Sequence, residues 1–180
     1  MKLSTKRMGG FTIPELGFVV TLILILSLVT VTAYRGVQAR SRDSVRKSDI
    51  GQLVKATQQY KIAVGDYGEA GCGWSTAASI GSGWLHQDYD TTGPRLAVID
   101  CLVTGNYLDK ALKDPSGLNN CNGLTCHAYM KLSCPSTGAN PGVWFGAHLE
   151  TLPQTTTDTD GTCLPTWDTG YGINYLVKVD

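Results

Sequence analysis

Few residues in this chain have the type and spacing to do chemistry, and they fall in three places. The first is Glu15, a carboxylate in an otherwise apolar run that reaches Tyr34, with Lys2, Lys6 and Arg7 ahead of it and Gly9-Gly10 at its mouth. A charge is expensive at the centre of such a run and cheaper at its end. At the start of a helix it meets the positive end of the helix dipole. The second place is a set of six cysteines, Cys72, Cys101, Cys121, Cys126, Cys134 and Cys163, all beyond the run. An even count in a Gly-, Thr- and Asn-rich stretch reads as disulfides in an oxidising compartment, with the pairing left open. The close spacing of Cys121 and Cys126 allows a small loop. The third is Asp158-Thr159-Asp160-Gly161, alternating carboxylates closed by a glycine. That is a fragment of a calcium loop without its closing glutamate, so a solvated turn is the simpler reading.

The other polar residues exclude more than they suggest. There is no nucleophile elbow, phosphate loop or metal-ligand helix, and His86, His127 and His148 stand apart in sequence. No enzyme activity and no cofactor are expected. Zinc favours paired Cys-x-x-Cys ligands, and Cys121 and Cys126 are too loosely spaced for that. Fifteen Lys and Arg balance fifteen Asp and Glu, so nucleic-acid binding through bulk charge is not expected. Arg35, Arg40, Arg42, Arg46 and Lys47 form a basic cluster without interleaved aromatics. It is expected to face acidic headgroups or neighbouring subunits.

The elements around these residues begin with the apolar run, about 19 residues long, enough to cross a bilayer as a helix. The hydroxyls of Thr21, Ser27, Thr30 and Thr32 can return to the helix's own carbonyls. An ordinary signal peptide would end at a small-residue site such as Val31-Thr32-Ala33, leaving Tyr34 as the first residue. Against that, the core is long and opens with a glutamate. The alternative places the small residues before the core, so that processing leaves the apolar segment on the mature protein. From Val45 the pattern becomes amphipathic. Ile50, Leu53, Val54, Thr57, Tyr60 and Val64 recur at three and four on one helix face, with Arg46, Lys47, Lys55 and Lys61 expected mostly off it. Gly65-Asp66-Tyr67-Gly68 ends it with turn residues. One helix from Phe11 to Val64 would be about 80 Å long. The β-branched run Val29-Thr30-Val31-Thr32 and Gly36 are the places where it could loosen.

A short basic leader, then Gly-Phe-Thr-x-x-Glu, then a long apolar run resembles the class III signal of type IV pilins and type II secretion pseudopilins. The resemblance implies cleavage between Gly10 and Phe11 by a prepilin peptidase, N-methylation of Phe11, and a role for Glu15 in assembly. Pro14 is compatible with a first helical turn. The turn at Gly65 and Tyr67 also resembles the helix end of that family, with Gly68 where a proline is usual. In filaments of the family the first helix is commonly unwound near a proline; here the β-branched run is the substitute candidate. Major pseudopilins carry a calcium site in a late loop, which gives Asp158 and Asp160 a reason to exist.

Beyond the helix, 72–94 reads as a Gly-, Ser- and Thr-rich loop anchored by Trp74 and Trp84. Residues 96–103 read as a short apolar helix ending at Gly105. The segment 107–115 resembles the one that leads into the sheet in the same families. Three strands are expected: 126–133, with Ala128, Met130 and Leu132 on one face; 143–152; and 171–179. The fold class is therefore α+β and pilin-like, a long amino-terminal helix whose second half packs on a small antiparallel sheet in a disulfide-bonded head. The expected divisions are a cleaved leader over 1–10, the helix over 11–65 (11–34 spanning, 35–65 amphipathic) and the head over 66–180. Five basic residues after the span against three before it would place the head inside by the positive-inside rule. The cysteines and the family signal argue for an exported head and overrule it.

The expected function is that of a structural subunit of an extracellular filament. Its expected partners are copies of itself and other pilins, a prepilin peptidase and methyltransferase, and a membrane assembly platform. It would lie in the cytoplasmic membrane first and in the filament afterwards. The alternatives are a pseudopilin of a secretion or DNA-uptake system, a tip subunit acting as an adhesin, and a secreted domain with an ordinary signal.

Overall fold

A computed structural model of the protein describes residues 10, 12–65, 67, 72–76, 79–86, 96–117, 128–134, 142–153 and 170–179. The elements in chain order are α1 (Ile13–Val64), β1 (Trp74–Thr76), β2 (Ser79–Trp84), α2 (Val98–Thr104), β3 (Tyr129–Cys134), β4 (Gly142–Ala147) and β5 (Tyr175–Val179). The chain divides into two compact units, Met1–Gln38 and Ala39–Asp180.

In the first unit α1 passes through Val29, Thr30, Val31, Thr32 and Gly36 without a break. Three hydroxyls return to carbonyls one turn back: Thr21 to Gly17 at 2.8 Å, Ser27 to Ile23 at 2.7 Å and Thr30 to Leu26 at 2.8 Å. These three hydroxyls are thus satisfied by the helix itself, as a lipid or protein interior requires.

In the second unit α1 ends at Gly65, whose N–H donates to the Lys61 carbonyl at 2.8 Å with φ +97°. That left-handed conformation is one glycine adopts without steric cost. The strands run antiparallel in the order β1-β2-β3-β4-β5, so the fold is α+β. One face of the sheet meets α1 and α2. Ile50, Leu53 and Ala56 of α1 and Val98, Ile99 and Leu102 of α2 bury against Tyr129, Val143, Phe145, Ala147 and Val179. The other face carries Trp84, Met130, Leu132 and Cys134, covered by Ile173 and Tyr171. The Trp84 and Tyr171 rings meet edge to face at 5.8 Å.

Several expectations are corrected by this arrangement. The stretch read as a loop over 72–94 contains β1 and β2, because β2 finds partners for Gly83 and Trp84 in Lys131 and Met130 of β3. Tertiary pairing overrides the poor strand propensity of Ser-Ile-Gly-Ser-Gly. β3 alternates as expected, but both faces are buried, and the face with Tyr129 and Lys131 is the one turned to α1. The expected strand over 143–152 stops at Ala147. Beyond it, side chains replace ladder partners: Asn174 accepts from the Leu149 N–H at 2.7 Å and donates to the Leu149 carbonyl at 2.9 Å. The last strand begins at Tyr175, not 171, and Ile173 covers the opposite face. The expected helix over 96–103 is α2, and Gly105 caps it by donating to the Cys101 carbonyl.

Phe145 is 0% exposed at the centre of the helix-facing core, whereas Val64 is 52% exposed. Phe145→Ala is expected to destabilise the protein by about 3–5 kcal/mol. Val64→Ala should change stability by no more than about 0.5 kcal/mol. Urea unfolding in detergent, followed by tryptophan fluorescence, checks both.

Candidate functional site

The amino end of α1 is built from four residues. Thr12 precedes the helix, and Pro14 in the first turn lacks only an N–H that would have had no helical partner. The Glu15 Oε2 atom accepts from the Thr12 N–H at 2.8 Å and from the Thr12 hydroxyl at 2.7 Å. This is one arm of a Thr-x-x-Glu capping box, in which the glutamate reaches back to the residue before the helix. A carboxylate complementing a helix amino terminus is therefore seen within one chain. Gly10 has open space around its Cα. Phe11 lies outside the described residues.

Behind this cap stands an uncovered apolar surface. Phe18 is 73% exposed and Leu28 70%, and Ile13, Leu16, Leu22, Ile23 and Val37 are exposed with them. The helix is long and apolar enough to cross a membrane. Apolar surface in contact with water is unfavourable by roughly 25 cal/mol per Å2.

Of the cysteines, Cys72 and Cys101 form a disulfide that ties the start of β1 to α2. Cys134 is also disulfide-bonded. Cys121, Cys126 and Cys163 lie outside the described residues, as do Asp158 and Asp160.

The basic cluster after the run is where structure and expectation part. Arg46 is 0% exposed, and its five N–H donors all find acceptors. Nε and Nη2 grip the two Asp114 oxygens at 2.6 and 3.3 Å, and Nη2 also reaches the Ser116 hydroxyl at 2.8 Å. Nη1 bonds Asp43 at 3.2 Å and Glu150 at 2.9 Å. Arg42 joins from the preceding turn, Nε to Glu150 Oε1 at 2.8 Å. Asp43 in turn accepts the Glu150 and Thr151 N–H groups, each at 2.8 Å, and the Thr151 hydroxyl at 2.7 Å. Asp114 also holds the Ser116 N–H at 2.8 Å and the Ser116 hydroxyl. One turn on, the buried Tyr129 hydroxyl donates to Asp49 at 2.6 Å. Arg42 and Arg46 thus face carboxylates of their own unit rather than headgroups or neighbours, and Arg46 lies on the buried helix face rather than off it.

Electrostatics follow the geometry. Burial pushes Asp114 up, but the Arg46 guanidinium and the Ser116 bonds outweigh it and hold the carboxyl below its ordinary range. Glu150 is lowered first by the Arg42 bond. Asp49 is raised, chiefly by burial. Tyr129 is raised by burial and by the carboxylate it serves. The signal for this cluster was present in the periodicity. Extending the spacing of Ile50 and Leu53 backwards lands on Asp49, Arg46 and Asp43, so the buried stripe continues in charged residues.

Comparisons of the chain with known protein families, with curated proteins and with solved structures return no match.

Removing Arg46 leaves Asp43 and Asp114 buried without their counter-charge. Arg46→Ala is expected to cost about 3–5 kcal/mol. Arg42→Ala breaks only a part-exposed pair and should cost about 1 kcal/mol or less. The same unfolding assay separates the two.

Proposed function

We propose that this chain is a structural subunit of a type IV pilus-like filament, processed at Gly10–Phe11 and assembled through the apolar part of α1. The carrying observation is that uncovered apolar surface, opened by a carboxylate four residues beyond Phe11 and preceded by a basic leader. Lipid would cover the surface before assembly and like helices afterwards. The hydroxyls of Thr21, Ser27 and Thr30 suit both surroundings, because they need no outside partner. The α+β unit that follows would form the filament surface, and its disulfides fit an oxidising exterior. The proposed partners are further pilins, a prepilin peptidase and methyltransferase, and a membrane assembly platform.

In this reading Glu15 exchanges partners. In the single chain its carboxylate is held by Thr12. In a filament it would meet the new α-amine of a neighbouring subunit, whose reference pKa is about 7.7–8.0. An ionised group deep in a bilayer costs about 2.5–3.5 kcal/mol on insertion scales, and pairing with the opposite charge offsets part of that.

Mass spectrometry of the mature protein is expected to find Phe11, methylated, at the amino terminus. A terminus at Tyr34 would establish an ordinary secretory signal instead. Glu15→Ala is expected to leave insertion and leader removal intact, since the span becomes more apolar, and to reduce filament yield strongly. Wild-type filament yield and length at equal subunit levels would refute the inter-subunit role.

A further inference from the structure

Within Ala39–Asp180, α1 is seated in two chemically different ways. Ile50, Leu53 and Ala56 are held by apolar burial. Arg42, Asp43 and Arg46, one to three turns earlier, are held by charge. We propose that this ionic seat is a clasp that acid opens, releasing 114–117 and 150–151 from α1 while the apolar seat, Leu149 included, stays closed.

The clasp joins three pieces of chain that are far apart in sequence. Asp114 and Glu150 stand 68 and 104 residues from Arg46. Two guanidinium groups, Arg42 and Arg46, face three carboxylates, from Asp43 on α1, Asp114 in the 107–117 segment and Glu150 in the 148–153 turn. Asp49 of α1 and Tyr129 of β3 lie one step beyond, close enough for Tyr129 to feel Asp114 and Arg46. Guanidinium does not lose its proton at any ordinary pH. Protonating the carboxylates therefore strands Arg46, 0% exposed, without a counter-charge. It also weakens three backbone bonds directly, because the Ser116, Glu150 and Thr151 N–H groups each donate to a clasp carboxylate.

The direction of pH dependence differs between neighbours. Asp43, Asp114 and Glu150 are held below the ordinary carboxyl range. Burial opposes this at Asp43 and Asp114 but is outweighed by hydrogen bonds and by Arg46; at Glu150 the Arg42 bond leads. Their contribution is complete above the unfolded values, about 3.9–4.3, and is lost as pH falls through the lower folded ones. Asp49 is raised, by burial first and by the Asp114 charge, against the Tyr129 bond. Its contribution is present in acid and lost as pH rises through its folded value. A neutral Asp49 still accepts the Tyr129 hydroxyl. Ile50, Leu53 and Ala56 do not titrate. Acid thus loosens α1 at 42–46 and leaves it held from 49 onward.

The test is amide hydrogen exchange on the full mature chain in detergent, at neutral pH and at about pH 3, corrected for the intrinsic pH dependence of exchange. Protection at Ser116, Glu150 and Thr151 is expected to fall about tenfold or more in acid, with 50–56 and 143–147 unchanged. Loss at all of these positions together would mean global unfolding and overturn the clasp, and so would unchanged protection at the three amides. Glu150→Gln should raise exchange at Glu150's neighbours and at Ser116 already at neutral pH. Asp49→Asn should leave the acid midpoint of the three amides where it is; a shift there would show that Asp49 carries the response.

Discussion

Arg46 brings a permanent positive charge into a place from which water is excluded, and the surrounding chain is arranged to make that tolerable. A guanidinium has five N–H donors in a rigid fork, and here all five are met by Asp114, Ser116, Asp43 and Glu150. The planar match to Asp114 fixes the angle at which the 107–117 segment meets α1. Asp43 orients the turn after β4 by holding two consecutive N–H groups. That turn follows the point where Asn174 takes over from the ladder at Leu149, so the exit from a central strand is held by side chains rather than by strand pairing. A buried ionic cluster stabilises little compared with an apolar one of the same volume. Its effect is on geometry, because a shifted register would leave several buried charges unmatched.

The amino-terminal part of α1 poses the opposite problem. Its apolar side chains are largely exposed among the described residues, and several of its polar ones bond locally. Thr21, Ser27 and Thr30 each close on a carbonyl one turn back. Glu15 closes on Thr12. A helix satisfied in this way can move between lipid and a protein interior without exposing an unpaired group. One continuous helix thus carries two kinds of surface, one chosen for surroundings outside the chain and one for the unit it belongs to.

Those two surfaces were legible to different degrees. The apolar run, the glycine that ends α1, the α2 helix and its Gly105 cap follow from local pattern alone. The sheet was legible where apolar residues alternate, in β3 and β5, or form a short run, in β4, and missed in β1 and β2. Ser79-Ile80-Gly81-Ser82-Gly83-Trp84 is mostly Ser and Gly, poor strand formers, and its pairing with β1 on one side and with Met130 and Lys131 on the other makes it a strand. The Arg46 cluster was misread for a physical reason. Charged residues on a helix are normally solvated, and the partners that overturn this lie 68 and 104 residues away. The Asp43–Arg46–Asp49 spacing was visible, but its meaning depends on contacts that periodicity does not encode.

The same separation in sequence bears on membrane orientation. The positive-inside rule counts Lys and Arg close to the span as the chain is inserted. At that stage Asp114 and Glu150 have no fixed position, and Arg35, Arg40, Arg42, Arg46 and Lys47 all count. In the folded unit Arg42 and Arg46 are matched by carboxylates, and Lys47 sits over the Tyr175 ring at 5.5 Å. The excess of positive charge that the rule counts is thus that of the chain before it folds. Once Ala39–Asp180 is folded, three of those five cations are engaged by its own side chains. Two of them, Arg42 and Arg46, are offset by carboxylates of the same unit.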